Sequence, residues 1–367
     1  MRPVEIVVTQ QKSLTGLDEL WRGIEAEVPD LSFFQSWSWV GCLVEERFPD
    51  PVVLRATQGG RLVGLALLNR RRGRLHLGES GDAVLDAPFV EHNGPLALGI
   101  PGVRAALLHA AAHLPGARRL ILGGVPADVL ENTPGIALRC QERLAPHVDL
   151  AAVRASGGDH LKLLSANTRY QIRRSAKHYG APQMHRAGTE AEALEMLSAM
   201  IALHHRSWQA RGKPGAFADP FMRRFHETLL HRAMARDEVD LLRVQAGESC
   251  VGILYNFRLR GRIYAYQSGL DLEGAGPHGK PGLTCHAMAI AHAVEAGHAV
   301  YDLLAGDDRY KLSLAQATTP LYWAEMVRRR SMLGLAVRGL AFARAHVPGI
   351  RNSSLGSNSS AEGPGPA

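Results

Sequence analysis

Apolar positions change period along the chain in an order that occurs twice. Val4 to Thr9 alternates as a strand, and residues 14–28 carry Leu17, Leu20, Trp21 and Ile24 on one helical face. FFQSWSWVGCLVEERF, Phe33 to Phe48, predicts a second helix, crowded with aromatics and opened by Ser32 as N-cap. Pro51–Ala56 and Arg61–Arg70 predict a hairpin turned at Gly59-Gly60. A helix over Val103–Leu114 and a strand at Arg119–Leu122 follow. In the second half, Gln183–Arg186 predicts a strand, and Ala191–Arg211 and Phe221–Ala235 predict helices. A hairpin over Gly247 joins Val239–Gln245 to Val251–Arg258, and Arg262–Leu270 predicts a third strand. A helix (Leu283–Ala296), a strand (His298–Leu304) and a last strand (Leu321–Val327) complete the order. The repeat is one of elements, not of identical residues. It predicts an α/β chain of two similar domains, 1–160 and 161–330. Ser331–His346 is apolar with spaced arginines and predicts a terminal helix within 331–352, packed on the domain or lying on a membrane surface. The tail 353–367 is rich in Ser, Gly and Pro and is expected to be disordered.

Chemistry concentrates between Gly261 and Lys311. There a strand runs into Asp271–Gly282, too rich in Gly and Pro for regular structure, and Pro281 suits the first turn of the next helix. A helix N-terminus after such a loop offers free N–H groups and a positive dipole end. Lys280 adds a cation and Thr284 a hydroxyl, so a phosphate or pyrophosphate suits the place. GxxxxGK[ST] is not present. The bland alternative is a long surface loop with a Pro-started helix.

Composition narrows the partners. The 367 residues are 46% hydrophobic and 21% charged, ordinary for a globular protein of two domains. A formal net charge of +7 favours an anionic partner: a nucleotide, a phosphorylated substrate, RNA or a membrane surface. Part of that charge lies in the runs at Arg70–Arg72 and Arg328–Arg330, which read as solvated strand ends. Four scattered cysteines form no CxxC pair, so neither a zinc knuckle nor a disulfide framework is expected; three look like buried free thiols. His109 and His113 have metal-compatible spacing but no third ligand, and no metal is expected. MRPVEIVVTQ lacks the apolar core of a signal peptide, and no uncharged apolar run reaches membrane-spanning length. The expected location is cytoplasmic.

Several stretches, taken in order, resemble the GNAT acyltransferase superfamily. More narrowly, they resemble its tandem group of Fem-type peptidoglycan aminoacyltransferases and CelD-type acetyltransferases associated with cellulose and exopolysaccharide synthesis. They are FFQSWSW (Phe33–Trp39), SANTRYQIRRSAK (Ser165–Lys177), HHRSWQARGKPGAF (His204–Phe217) and VGILYNFRLRGRIYAYQSGLD (Val251–Asp271), then PGLTCHAMAIAHAVEAG (Pro281–Gly297) and YDLLAGDDRYK (Tyr301–Lys311). The resemblance implies two tandem GNAT-like domains, each a mixed, mainly antiparallel twisted sheet flanked by helices. It implies an acyl-CoA site, for acetyl-CoA or another acyl-CoA, at Lys280, Pro281, Gly282, Leu283 and Thr284. The long loop from Leu270 to Lys280 departs from simple GNAT enzymes, whose Q/RxxGxG/A signature is missing. Some Fem-type enzymes use aminoacyl-tRNA instead, which the basic charge suits equally.

The resemblance also assigns roles. Tyr310 resembles the tyrosine that protonates the leaving thiolate; the alternative is packing at a helix start. Asp307 or Asp308, in a turn that also holds Asp302, would orient or deprotonate an acceptor, or cap the helix through Lys311. Lys311 would pair with these carboxylates or contact a phosphate. Arg169, Arg173, Arg174 and Lys177 share a helix face and, with Asn167 and Tyr170, grip an anionic acceptor or form a solvated basic helix. Arg206, Trp208 and Lys213 border the acceptor cleft of the GNAT fold. Trp208 and Phe217 either stack on a sugar or base or belong to the core. Tyr266 is a further substrate-binding candidate. The first domain's counterpart loop, Gly78–Pro95, carries Glu79, Asp82, Asp86 and Glu91, poor for phosphate, so that domain is expected to shape the acceptor cleft. The expected reaction is N- or O-acylation of a saccharide, cell-envelope precursor or small amine metabolite. Aminoacyl-tRNA-dependent transfer and a non-catalytic binding module are the alternatives.

Overall fold

Gly59 and Gly60, at φ 60° and 80°, make the two-residue turn that brings Gln58 opposite Arg61. Positive φ at both positions matches the twist of the flanking strands, and glycine adopts it without a Cβ clash. Such local devices assemble a computed structural model that describes residues 3–10 and 15–346. The tail at 353–367 lies outside the described residues. The chain divides into two units: one up to Glu142 with the stretch from Leu321, the other Arg143–Pro320. The division falls before the expected junction near Leu161, and each unit takes one strand segment from the opposite half of the chain.

In the first unit the strand order is β1 (Val4–Gln10), β2 (Pro51–Gln58), β3 (Arg61–Arg71), β4 (Arg74–Leu77), β6 (Arg119–Pro126) and β13 (Ala317–Val327). β5 (Leu96–Ala97) pairs with β3. Only β4 and β6 run parallel, joined through α4 (Val103–His113). α1 (Leu17–Glu25) buries Leu17, Trp21 and Ile24, as its spacing predicts. The expected aromatic helix does not form as one piece. Phe33–Gln35 is a 3₁₀ turn, followed by α2 (Trp37–Val40) and α3 (Val44–Arg47), with Leu43 left-handed at φ 50° between them. Phe33, Phe34, Trp37, Trp39 and Val40 are all buried, so no single face organises the stretch. The chain turns repeatedly inside the core, and Ser32 and Ser36 supply the caps. α5 (Ala127–Glu131) and α12 (Met332–His346) complete the unit.

In the second unit the order is β7 (Ile136–Asp149), β12 (Val300–Asp302), β11 (Arg262–Leu270), β10 (Ser249–Leu259), β9 (Val239–Ala246) and β8 (Gln183–Arg186). Again one pair, β11 and β12, is parallel and every other pair antiparallel. The crossover helix α10 (Pro281–Glu295) buries Cys285, Ala289, Ile290, Ala293 and Val294. That stripe packs on Leu242, Val244, Leu254 and Ile263 of the sheet. α8 (Glu190–Gln209) lies against β11 so closely that a Cβ at Gly269 would stand 2.3 Å from the Met200 carbonyl oxygen. α9 (Pro220–Ala233) packs against α8. α6 (Leu150–Ala155), α7 (Ala166–His178) and α11 (Arg309–Leu314) are the remaining helices. Each unit is thus a mixed, mainly antiparallel sheet with helices packed on it. The expected strand over His298–Leu304 is shorter, covering Val300–Asp302.

Candidate functional site

β11 and β12 pair at only three positions, from Arg262 with Val300 to Tyr264 with Asp302, and then part. Beyond Tyr264 no described strand pairs with β11 on that side. On the other side β11 bulges: Tyr255 opposes Gln267 and Asn256 opposes Ala265, leaving Tyr266 extra. A bulge re-aims the backbone and raises the local twist, which suits a strand leaving its neighbour. Two buried charges hold the departing chain. Asp302 accepts from the Leu304 N–H at 2.8 Å and from Arg262 at 2.7 Å. Lys311, fully buried, donates from Nζ to the Ala305 carbonyl at 3.0 Å and lies 3.5 Å from that of Leu304. Leu304 itself is buried and left-handed at φ 60°, a costly conformation for a branched side chain that these bonds maintain.

The start of α10 lies beside this opening. Pro281 has no N–H, and the N–H groups of Gly282 and Leu283 take no partner among the described residues; the first helical bond runs from Thr284 to the Lys280 carbonyl at 3.0 Å. Ser175 of α7 fixes the approach. Its Oγ accepts from the Lys280 N–H at 2.8 Å and bonds the Thr284 hydroxyl at 2.7 Å. Thr284 is therefore turned into the packing against α7. Lys280 is exposed, and a Cβ on Gly282 would meet only the tip of Leu270, at 3.3 Å.

Tyr310, in the first turn of α11, stacks on His286 with ring centroids 5.5 Å apart. His286 Nδ1 shares a hydrogen bond of 3.0 Å with the Tyr301 hydroxyl. Burial, aided by Lys311, lowers the His286 pKa to about 4, so the imidazole is neutral. Burial and the nearby Asp308 raise the Tyr310 phenol above its ordinary range, keeping it protonated at neutral pH. Asp307 is exposed; Asp308 precedes α11 without a side-chain cap bond and lies 3.8 Å from Lys311.

The other candidates separate. Arg169, Tyr170, Arg173, Arg174 and Lys177 lie together on one open face of α7. Arg206 and Lys213 are exposed, but Trp208 is buried against His204, and Phe217 is buried with it. Tyr266 has no exposed surface; its ring lies 4.6 Å from that of Phe257 and 5.3 Å from that of His226. His204, unremarked in the sequence, ties the following loop to β11. Its Nε2 accepts from the Ala216 N–H at 3.2 Å, so Nδ1 carries the proton toward the Ser268 carbonyl at 3.3 Å. Burial lowers its pKa to about 4. The roles of Asp302 and Ser175 had no local sequence signal, because their partners lie on other elements or in the turn geometry.

In the first unit the corresponding opening is filled. β4 and β6 part after Leu77 and Leu122, and Asn93 bridges the gap. Its Nδ2 donates to the carbonyls of Leu77 at 2.8 Å and Gly123 at 3.1 Å. The Glu79 carboxylate presses on Gly123, and a Cβ there would stand 2.3 Å from it. Burial and Asp86 raise the Glu79 pKa.

Among the described residues no group of His, Cys, Asp or Glu could hold a metal ion, and no helix is long and apolar enough to cross a membrane. All four cysteines are free: Cys42 and Cys285 are buried, Cys250 is half-buried, and Cys140 is exposed. Three buried thiols were expected; Cys250 is only partly covered.

Residues 166–312, from the start of α7 into α11, match the model of the acetyltransferase (GNAT) domain. No curated protein matches the chain in sequence. Among solved structures, the C-terminal domain (DUF2156) of a putative lysylphosphatidylglycerol synthetase from Agrobacterium fabrum is similar, with a TM-score of 0.54 at 13% identity, over 90% of this chain and 97% of that one. FemX is similar with a TM-score of 0.52 at 10% identity, over 88% of this chain and 98% of its own. A conserved protein of unknown function from Bacteroides thetaiotaomicron VPI-5482 has a TM-score of 0.53 at 12% identity, over 88% and 100%. At such identities these likenesses concern the fold, and they run over most of the chain, whereas the domain match is confined to the second unit. The second unit thus carries an acetyltransferase (GNAT) domain over residues 166–312.

Proposed function

We propose that the chain is a cytoplasmic N- or O-acyltransferase that takes an acetyl or other acyl group from acyl-CoA and passes it to a saccharide, cell-envelope precursor or small amine metabolite. One observation carries the reading: β11 parts from β12 after three residue pairs, and the unpartnered N–H groups of Gly282 and Leu283 stand beside the opening. The residues present fit such a donor. A diphosphate suits the helix start and Lys280. The amide-bearing pantetheine arm suits the edge of β11 beyond Tyr264 that no described strand covers.

In this reading the acceptor nitrogen or oxygen forms a bond to the acyl carbon, the carbon–sulfur bond breaks, and the thiolate leaves. A backbone N–H on the edge of β11 stabilises the carbonyl oxygen as charge develops. Tyr310 gives its proton to the sulfur, and the proton lost by the acceptor passes to solvent or to Asp307, the exposed carboxylate of the turn. Lys311 holds the turn rather than touching substrate, since its ammonium is spent on Ala305 and Leu304. The first unit contributes no donor site, its opening being filled by Asn93.

Gly282→Glu tests the site. The helical position has room for a Cβ, so the fold should survive, while a carboxylate faces the bound diphosphate. CoA affinity should fall below detection. Unchanged affinity would sink the assignment. Aminoacyl-tRNA as donor is the second reading, favoured by the cations of α7; it requires tRNA binding that weakens steeply with salt.

A further inference from the structure

We infer that the exposed face of α7 receives the nucleotide end of the donor, and that its arginines recognise a phosphate ester additional to the diphosphate, as on the ribose of CoA. The inference rests on the acyl-CoA reading above.

Arg169, Tyr170, Arg173, Arg174 and Lys177 recur at three- and four-residue spacing, so they share one face of α7. The face holds no acidic residue. Arg173, Arg174 and Lys177 are exposed, and none is paired with a carboxylate among the described residues. A solvated helix normally intersperses both signs. Tyr170 stands among these cations with 60% of its surface exposed, although an aromatic ring gains by burial. Exposed aromatic rings interleaved with guanidinium groups stack nucleobases and neutralise phosphates.

Position argues for the donor rather than the acceptor. Ser175, on the buried side of the same helix, bonds both the backbone N–H of Lys280 and the Thr284 hydroxyl at the start of α10. Arg174 contacts His278, in the loop that leads to that start. The cations therefore continue from the diphosphate position along a stripe of about 12 Å, within the span of a nucleotide.

The test is a calorimetric titration of CoA and of 3′-dephospho-CoA into the full chain and into Arg173→Ala/Arg174→Ala. Both positions are exposed, so the variant should fold. CoA should bind about tenfold or more tightly than dephospho-CoA to the unchanged protein, the effect of a charge-assisted pair. In the double variant CoA affinity should fall to that of dephospho-CoA, which itself stays unchanged. That unchanged arm separates a lost contact from a damaged fold. Equal binding of the two ligands to the unchanged protein overturns the inference while leaving the donor reading intact. No binding of either ligand is instead the failure of the donor reading, and the inference falls with it. If the two ligands are indistinguishable and the double variant loses retention of bulk tRNA, the face belongs to RNA and the inference is overturned.

Discussion

Tyr310 and Lys311 are neighbours in sequence with opposite surroundings. Lys311 is sealed from solvent with its ammonium on backbone carbonyls, while the Tyr310 ring stacks on His286 at the mouth of α11. Their substitutions should therefore separate. Lys311→Met leaves the Leu304 and Ala305 carbonyls without their donor, at about 1–3 kcal/mol per buried group. Urea unfolding should show a loss of about 2–4 kcal/mol, and donor affinity should weaken as the turn loosens. Tyr310→Phe keeps the stack and should leave stability and CoA affinity unchanged. With an acceptor that supports turnover, it should lower kcat by about a hundredfold or more. The reverse pattern, with Lys311→Met stable and Tyr310→Phe fully active, would remove both assignments. Legibility at this scale followed distance along the chain. The cation, proline and glycine at the start of α10 are adjacent in sequence and could be read together. The Asn93 bridge and the Ser175 link join residues of remote segments, and nothing local marks them. The buried state of Lys311 was equally hidden, since a lysine beside two aspartates reads as a surface pair.

Among elements, the contact of α8 with β11 sets how far the sheet can open. Gly269 makes it possible, because any Cβ would strike the Met200 carbonyl, which cannot swing aside as a side chain can. Gly269→Ala should cost about 1–3 kcal/mol by overpacking, and should disturb the strand that parts from β12. Gly282→Ala, on a regular helix turn facing a flexible leucine tip, should be nearly neutral in the same thermal melt. Equal effects of the two would mean that the α8 approach is looser than described. Elements with a regular apolar pattern were legible: β9, β10 and β11 are buried over runs of successive residues, and α10 carries its stripe. Those lacking such a pattern were not. The stretch from Phe33 to Cys42 is buried on all sides, and the segment breaks at Leu43. β7 is exposed from Arg139 to Leu144 and contains Pro146, so no hydrophobic period announced it.

At the scale of the whole chain, stability should depend on two histidines in the second unit that are neutral when folded. His204 and His286 each have a pKa lowered from 6.5 to about 4, mainly by burial. Above pH 6.5 neither the folded nor the unfolded chain protonates them, and their contribution is complete. As pH falls from 6.5 toward 4 the unfolded chain takes up protons that the fold refuses, and stability drops by up to about 1.4 kcal/mol per pH unit for each. Glu79, whose carboxyl pKa burial raises, acts with the opposite sign over this range, so the readout is the difference between two proteins: the urea midpoint of His286→Gln should fall less than that of the unchanged chain between pH 7.5 and 5. A slope unaffected by that change would mean that His286 is protonated in the fold. The two units also differ at one place. Each has a parallel pair that parts beside a crossover helix; Asn93 bridges the gap in the first unit, whereas in the second no described strand covers β11 beyond Tyr264.

The most direct measurement is a calorimetric titration of CoA into the unchanged chain and into Gly282→Glu. Saturable binding at one site per chain is expected, with heat lost in the variant while its melting temperature is kept. Binding of equal strength in the variant, or two equivalent sites per chain, would contradict the placement of the donor at the start of α10.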